Sequence, residues 1–138
     1  MTMKQLFNTQ FASTSHVWLL ILRVSAASFM LTHGYPKLMT LIEGGEIAFY
    51  DFLGLGMTAS LALAVLAEFV CSILLILGLG TRLAALPLII TMLVAAFAVH
   101  ADDPFGKKEF ALLYLLIFAT ILVFGAGKYS VDRFLEKK

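Results

Sequence analysis

Four stretches of this chain hold almost nothing that water would solvate, and each approaches the length needed to cross a lipid bilayer. They run from Val17 to Thr32, broken only by Arg23 and continuing past Pro36 toward Leu41; from Thr58 to Leu79, with Glu68 the sole charge; from Leu83 to Val99; and from Phe110 to Ala126, the last two free of charge. A span takes roughly 20 apolar residues, with a range of about 17–25. In lipid every backbone polar group must be satisfied inside the protein, and an uninterrupted apolar run achieves that as a helix. The expected architecture is all-α: an integral membrane four-helix bundle with antiparallel spans over about residues 17–39, 58–79, 82–100 and 109–126. Only 14% of the 138 residues are charged, against roughly 25% in soluble domains. Too few polar side chains exist to coat a water-facing surface, so the lipid bilayer is the first partner implied. A net charge of +1 gives no reason to expect nucleic acid.

The connections add topology. In "LGLGTR", Leu77 to Arg82, Gly78 and Gly80 can stop one helix and Thr81 can cap the next, which makes the second and third helices antiparallel neighbours. "HADDPFGKKE", His100 to Glu109, is a short polar loop. The longest connection, about Leu41 to Met57, mixes Phe49, Tyr50, Phe52 and Leu53 with Glu43, Glu46 and Asp51. That mixture suits a short interfacial element between helices 1 and 2. With four spans, Lys4, Arg82, Lys128, Arg133, Lys137 and Lys138 share one side, against Lys37, Lys107 and Lys108 on the other. Positive-inside bias then puts both termini in the cytoplasm. The polar opening "MTMKQLFNTQFASTS" does not read as a cleavable signal peptide, so the first span doubles as the insertion signal.

Charges inside a span cost roughly 2.5–3.5 kcal/mol on insertion scales, so each calls for a partner or a purpose. Counted from the span ends, Arg23 lies about 9 Å and Glu68 about 16 Å from the same face. A depth difference of about 7 Å is within the reach of both side chains, which suggests an Arg23–Glu68 ion pair between helices 1 and 2. Around Glu68, the small residues Ser60, Ala64, Cys71 and Ser72 recur at helical spacing and favour close packing. At the opposite end, His33 and Lys37 of helix 1, His100 after helix 3 and Glu109 at the start of helix 4 converge in depth, with Asp102 and Asp103 between. "HGYPK", His33 to Lys37, reads as a bend lining something polar, because proline removes a backbone donor. Taken singly, these residues fit headgroup contacts. As a set, Arg23, His33, Lys37, Glu68, His100 and Glu109 are the candidates for ligand binding or proton relay in a polar pocket. No catalytic residue stands out. Without CxxCH or a His-x3-His pair, haem and metal are disfavoured. Cys71 is the one cysteine, which excludes a disulfide within the chain and any CxxC redox pair.

"LRVSAASFMLTHGYPKL", "LAEFVCSILLILGLGTRLAA", "VAAFAVHADDPFGKKEFALLYL" and "GAGKYSVD" together resemble the DoxX family of small bacterial inner-membrane proteins, from about Trp18 to Asp132. The combination of Arg23, His33–Gly34 with Lys37, Glu68 and Gly80–Thr81–Arg82 carries the resemblance; the family's final "GPG" is here Gly125–Ala126–Gly127. The resemblance implies a single domain over residues 1–138 and a bacterial inner-membrane location. Its function would be that of a redox-associated subunit, since relatives are linked to thiosulfate:quinone oxidoreduction and oxidative-stress systems. Quinone is then the candidate ligand, held by histidine, lysine or arginine with a carboxylate as proton relay. Transport or export of a small solute or protons, and assembly of a client protein, are the alternatives. Any electron chemistry would need a redox partner; a client protein or a homo-oligomer is the other association to expect.

Overall fold

The computed structural model describes residues 14–137. The readings of the opening stretch, Lys4 included, and of Lys138 lie outside them, apart from Thr14 and Ser15. All regular structure among the described residues is helical: α1 (Thr14–Glu43), α2 (Met57–Leu77), α3 (Thr81–Val99), α4 (Phe105–Phe124) and the short α5 (Val131–Glu136). Three of these, α1, α2 and α3, are long and apolar enough to cross a membrane. Helix α4 carries Lys107, Lys108 and Glu109 in its first turns, so its apolar run begins only at Phe110. Helix α1 packs on α2, α2 on α3, and α3 on α4.

The outer surface, unlike that of a soluble protein, is rich in large apolar side chains. Small residues share the contacts with a few large ones: Ala26, Ala27, Ala84, Ala85, Ala96 and Ser72 are buried beside Met30, Leu75, Leu88 and Phe118, while Leu83 is 75% and Phe110 74% exposed. Water would penalise so many exposed large apolar side chains, whereas lipid does not. Between helices in lipid, close backbone approach replaces hydrophobic burial as the source of packing energy. Gly34 shows how tight that approach is. A Cβ there would lie 2.6 Å from the backbone carbonyl carbon and oxygen of Glu68 and 2.8 Å from the Phe69 nitrogen. Gly34→Ala should therefore cost about 1–3 kcal/mol, because the obstacle is backbone and the helices must part. Thermal unfolding in a fixed detergent measures it, and an unchanged midpoint would contradict this contact.

Helix α1 continues through Pro36 to Glu43, as the apolar run past Pro36 led one to expect. One expectation fails here: Thr81 does not cap α3. Helix α2 ends as expected at Gly78, left-handed at φ 69°, with Leu79 N–H donating to the Leu74 carbonyl at 3.0 Å. The start of α3 is instead capped from the far end of the chain: the Asp132 carboxylate accepts from Gly80 N–H at 2.7 Å and Thr81 N–H at 2.9 Å. A carboxylate at that position satisfies orphan donors and meets the positive end of the helix dipole.

The connection between α1 and α2 contains one 3-10 turn, Phe52–Gly54. It is tied down by Phe52 N–H donating to Ser60 Oγ at 2.8 Å and by Gly56 N–H donating to Asp51 Oδ1 at 2.8 Å. Its aromatic side chains turn back toward the helices.

Candidate functional site

Helix α2 widens into a π-helical turn over Leu66–Cys71, and this turn carries Glu68. One extra residue per turn re-aims side chains, which is why such turns recur at functional sites. A second π-helical turn, Ala95–Val99, closes α3 just before His100. Between the two turns and beneath residues 48–52 lies a cleft of about 780 Å³. Phe49, Tyr50, Phe52, Leu63, Ile90 and Val94 give it apolar walls, and Lys37, Glu68, Ser60, Thr91 and His100 supply its polar atoms.

Lys37 and Glu68 form its charged centre. Lys37 Nζ donates to both Glu68 oxygens, at 2.6 and 2.5 Å, and stands 5.9 Å from the centre of the Phe49 ring. Glu68 is almost wholly enclosed, its side chain 4% exposed, while that of Lys37 is 29% exposed. At the rim, His100 Nδ1 sits 2.7 Å from Asp103 Oδ2. The hydrogen bond with His100 holds the Asp103 carboxyl below its usual range against the opposing effect of burial, and the nearby charges of Lys107 and Lys108 act in the same sense as that bond.

The expected Arg23–Glu68 pair is not formed. Gly34 is level with Glu68, so Lys37 lies less than one turn away and Arg23 eleven residues away, about 16 Å along the helix. Counting from the apolar boundaries set the two helices at the wrong offset: Arg23 sits beside Gly78 at the end of α2, ten residues beyond Glu68. There Arg23 is buried, donating from Nη1 to the Ala126 carbonyl and from Nη2 to the Tyr129 carbonyl at 2.9 Å. The fork thus clasps the turn that follows α4. Asp132, one helical turn on, caps α3. Burial would raise its carboxyl, but hydrogen bonds from Thr81 and Gly80 and the charge of Arg23 outweigh that and hold it below its usual range.

Of the six candidates, the structure brings Lys37, Glu68 and His100 to one cleft. His33 is exposed and meets Tyr114 of α4 edge-on, ring centres 6.3 Å apart. Glu109 is exposed at the start of α4, and Arg23 belongs to the other end. Sequence reasoning missed Asp132 as a cap and the carbonyls of Ala126 and Tyr129 as acceptors. A carboxylate remote in sequence, and main-chain oxygens, leave no spacing pattern to find.

Small residues at the helix contacts, large apolar side chains facing outward and buried charges given hydrogen-bond partners define a helical membrane protein. More narrowly, the chain belongs to the DoxX family, whose sequence model matches residues 18–101. An uncharacterised protein of Haemophilus influenzae is 35% identical over 131 residues, covering 88% of this chain and 92% of that one. A second uncharacterised protein of that organism is 33% identical over 75 residues, about half of each chain. A Bacillus subtilis protein named "Putative oxidoreductase CatD" is 29% identical over 119 residues, covering 86% of this chain and 87% of that one. No solved structure matches significantly.

Proposed function

We propose that this chain is a quinone-binding subunit of a redox system in the bacterial inner membrane, its ligand seated in the Lys37–Glu68 cleft. The observation that carries the reading is a cleft of about 780 Å³ with aromatic and aliphatic walls and one enclosed ion pair. A quinone has that complementary form: a flat apolar ring with carbonyl oxygens that accept from an ammonium or an imidazole. Lys37 and His100 are the donors, and Glu68 is the group able to pass a proton. The name of the Bacillus relative agrees with a redox role. With a single cysteine in the chain, electrons come from a partner protein rather than from a dithiol of its own. In this reading α1 to α4 form a four-helix bundle of antiparallel spans. Arg82, Lys128, Arg133 and Lys137 face the cytoplasm, and the cleft opens outward beneath an interfacial residue 44–56 segment.

The test is lipid extraction of the purified protein, followed by titration with a short-chain quinone. Native protein should retain quinone. Thr91→Phe, which fills the cleft, should abolish retention, and His100→Ala should weaken binding roughly tenfold, the loss of one good hydrogen bond. His33→Ala, on the Tyr114 side, should change nothing. Equal binding by native protein and the Thr91→Phe variant would exclude the cleft as the quinone site.

A further inference from the structure

A second cleft, of about 870 Å³, lies at the opposite end of the helices, bounded by the α2–α3 turn, the end of α4 and α5. Its charged lining comprises Arg82, Lys128, Arg133 and Lys137 against Asp132 and Glu136. Both acids are already engaged. The two Asp132 oxygens accept from Gly80 and Thr81 N–H, and Glu136 Oε2 accepts from Arg133 Nη1 at 2.9 Å. Among the described residues, Arg82, Lys128 and Lys137 therefore face the cleft without a carboxylate partner. Arg82 uses Nη2 on the Val123 carbonyl at 3.1 Å, which fixes its guanidinium at the wall while other N–H groups of the fork stay available.

We propose that this cleft binds the phosphate of an anionic phospholipid. With four cations to two carboxylates, and three of the cations outside any ion pair among the described residues, the lining carries an excess of positive charge that suits a phosphate oxyanion, which a guanidinium fork matches geometrically. Depth and surroundings select a lipid over free phosphate. The cleft sits where the apolar runs of α3 and α4 end, the level of the headgroups. Leu83 beside it is 75% exposed and Leu135 52% exposed. A soluble anion has no use for these apolar side chains, whereas acyl chains would cover them. Basic pockets between membrane helices recognise lipid headgroups on this principle. The site lies at the far end from the Lys37–Glu68 cleft, so either assignment can fail without the other.

Full-length protein in neutral detergent, titrated separately with phosphatidylglycerol, phosphatidylcholine and inorganic phosphate, tests the proposal by native mass spectrometry and thermal unfolding. Phosphatidylglycerol should bind and stabilise in preference to phosphatidylcholine. Each cation removed should weaken phosphatidylglycerol binding about fivefold. Lys128→Gln with Lys137→Gln, both at exposed positions, should thus lose about 25-fold with an unchanged melting point in the absence of lipid. Arg82→Gln provides a second variant. Equal binding of the two lipids, or an unaltered preference in both variants, would overturn the site. Stabilisation by inorganic phosphate matching that by phosphatidylglycerol would overturn the lipid assignment in favour of a soluble anion.

Discussion

Replacing Lys37 with methionine should destabilise the protein by about 3–5 kcal/mol, the cost of leaving a buried charge uncompensated. Glu68→Gln should cost less. The asymmetry follows from burial. The Glu68 side chain is 4% exposed, and Lys37 donates a hydrogen bond to each of its two oxygens. Once Lys37 is gone, the short, largely enclosed carboxylate loses both of those hydrogen bonds. Lys37 is 29% exposed on a long flexible stem, so without Glu68 its ammonium can swing toward the aqueous boundary. Removing both charges together, Lys37→Met with Glu68→Leu, should recover most of the stability, because two desolvation penalties disappear along with the attraction. Thermal unfolding of the three variants in one detergent gives the comparison. A double variant that folds well but no longer retains quinone would separate the ligand-binding role of the pair from its structural one. If Lys37→Met and Glu68→Gln both melted like the native protein, the ion pair would contribute nothing to the fold.

The same pair shows what the sequence made legible. Hydrophobicity alone marked the apolar segments, since lipid leaves such runs few structural choices. It also marked Glu68 as a charge in need of a partner. The partner's identity needed the axial offset between α1 and α2, and hydrophobic boundaries locate a span end only to within a turn or so. The offset is written in one residue, Gly34, whose missing side chain admits the Glu68 backbone. Nothing in the sequence says which carbonyl a glycine will meet. Shared depth on α1 likewise did not say which neighbour His33 and Lys37 would each meet. Residues on one helix face can serve different neighbours, and here His33 turns to Tyr114 while the longer Lys37 reaches Glu68. The wall of the cleft was partly visible as the aromatic cluster Phe49, Tyr50 and Phe52, but not that it folds back over Glu68.

At the other end, Arg23→Ala should loosen the C-terminal segment at a cost of about 2–5 kcal/mol, and Arg23→Lys should restore little of it. Arginine spans two carbonyls, of Ala126 and Tyr129, with one planar fork; an ammonium is a single point and cannot satisfy both in the same geometry. The buried Ala126 carbonyl left without a donor costs about 1–3 kcal/mol, the part-buried Tyr129 carbonyl costs less because water can reach it, and the space vacated by a fully buried side chain adds to that. Asp132 makes the same clasp sensitive to acid. Its folded carboxyl lies below the ordinary value, so its contribution is fully present above the unfolded value near 3.9 and is lost as pH falls through the folded one. Asp132→Asn should lower the melting point at pH 7 and converge with the native protein as the pH drops below about 3.9. Hydrogen exchange separates a local clasp from a global strut. If Arg23 holds the chain end to the α2–α3 turn, Arg23→Ala should release amides of residues 127–136 while those of α1 and α2 around Gly34 and Glu68 keep their protection. Uniform loss along the whole chain would instead make Arg23 part of the core on which the Lys37–Glu68 cleft itself depends.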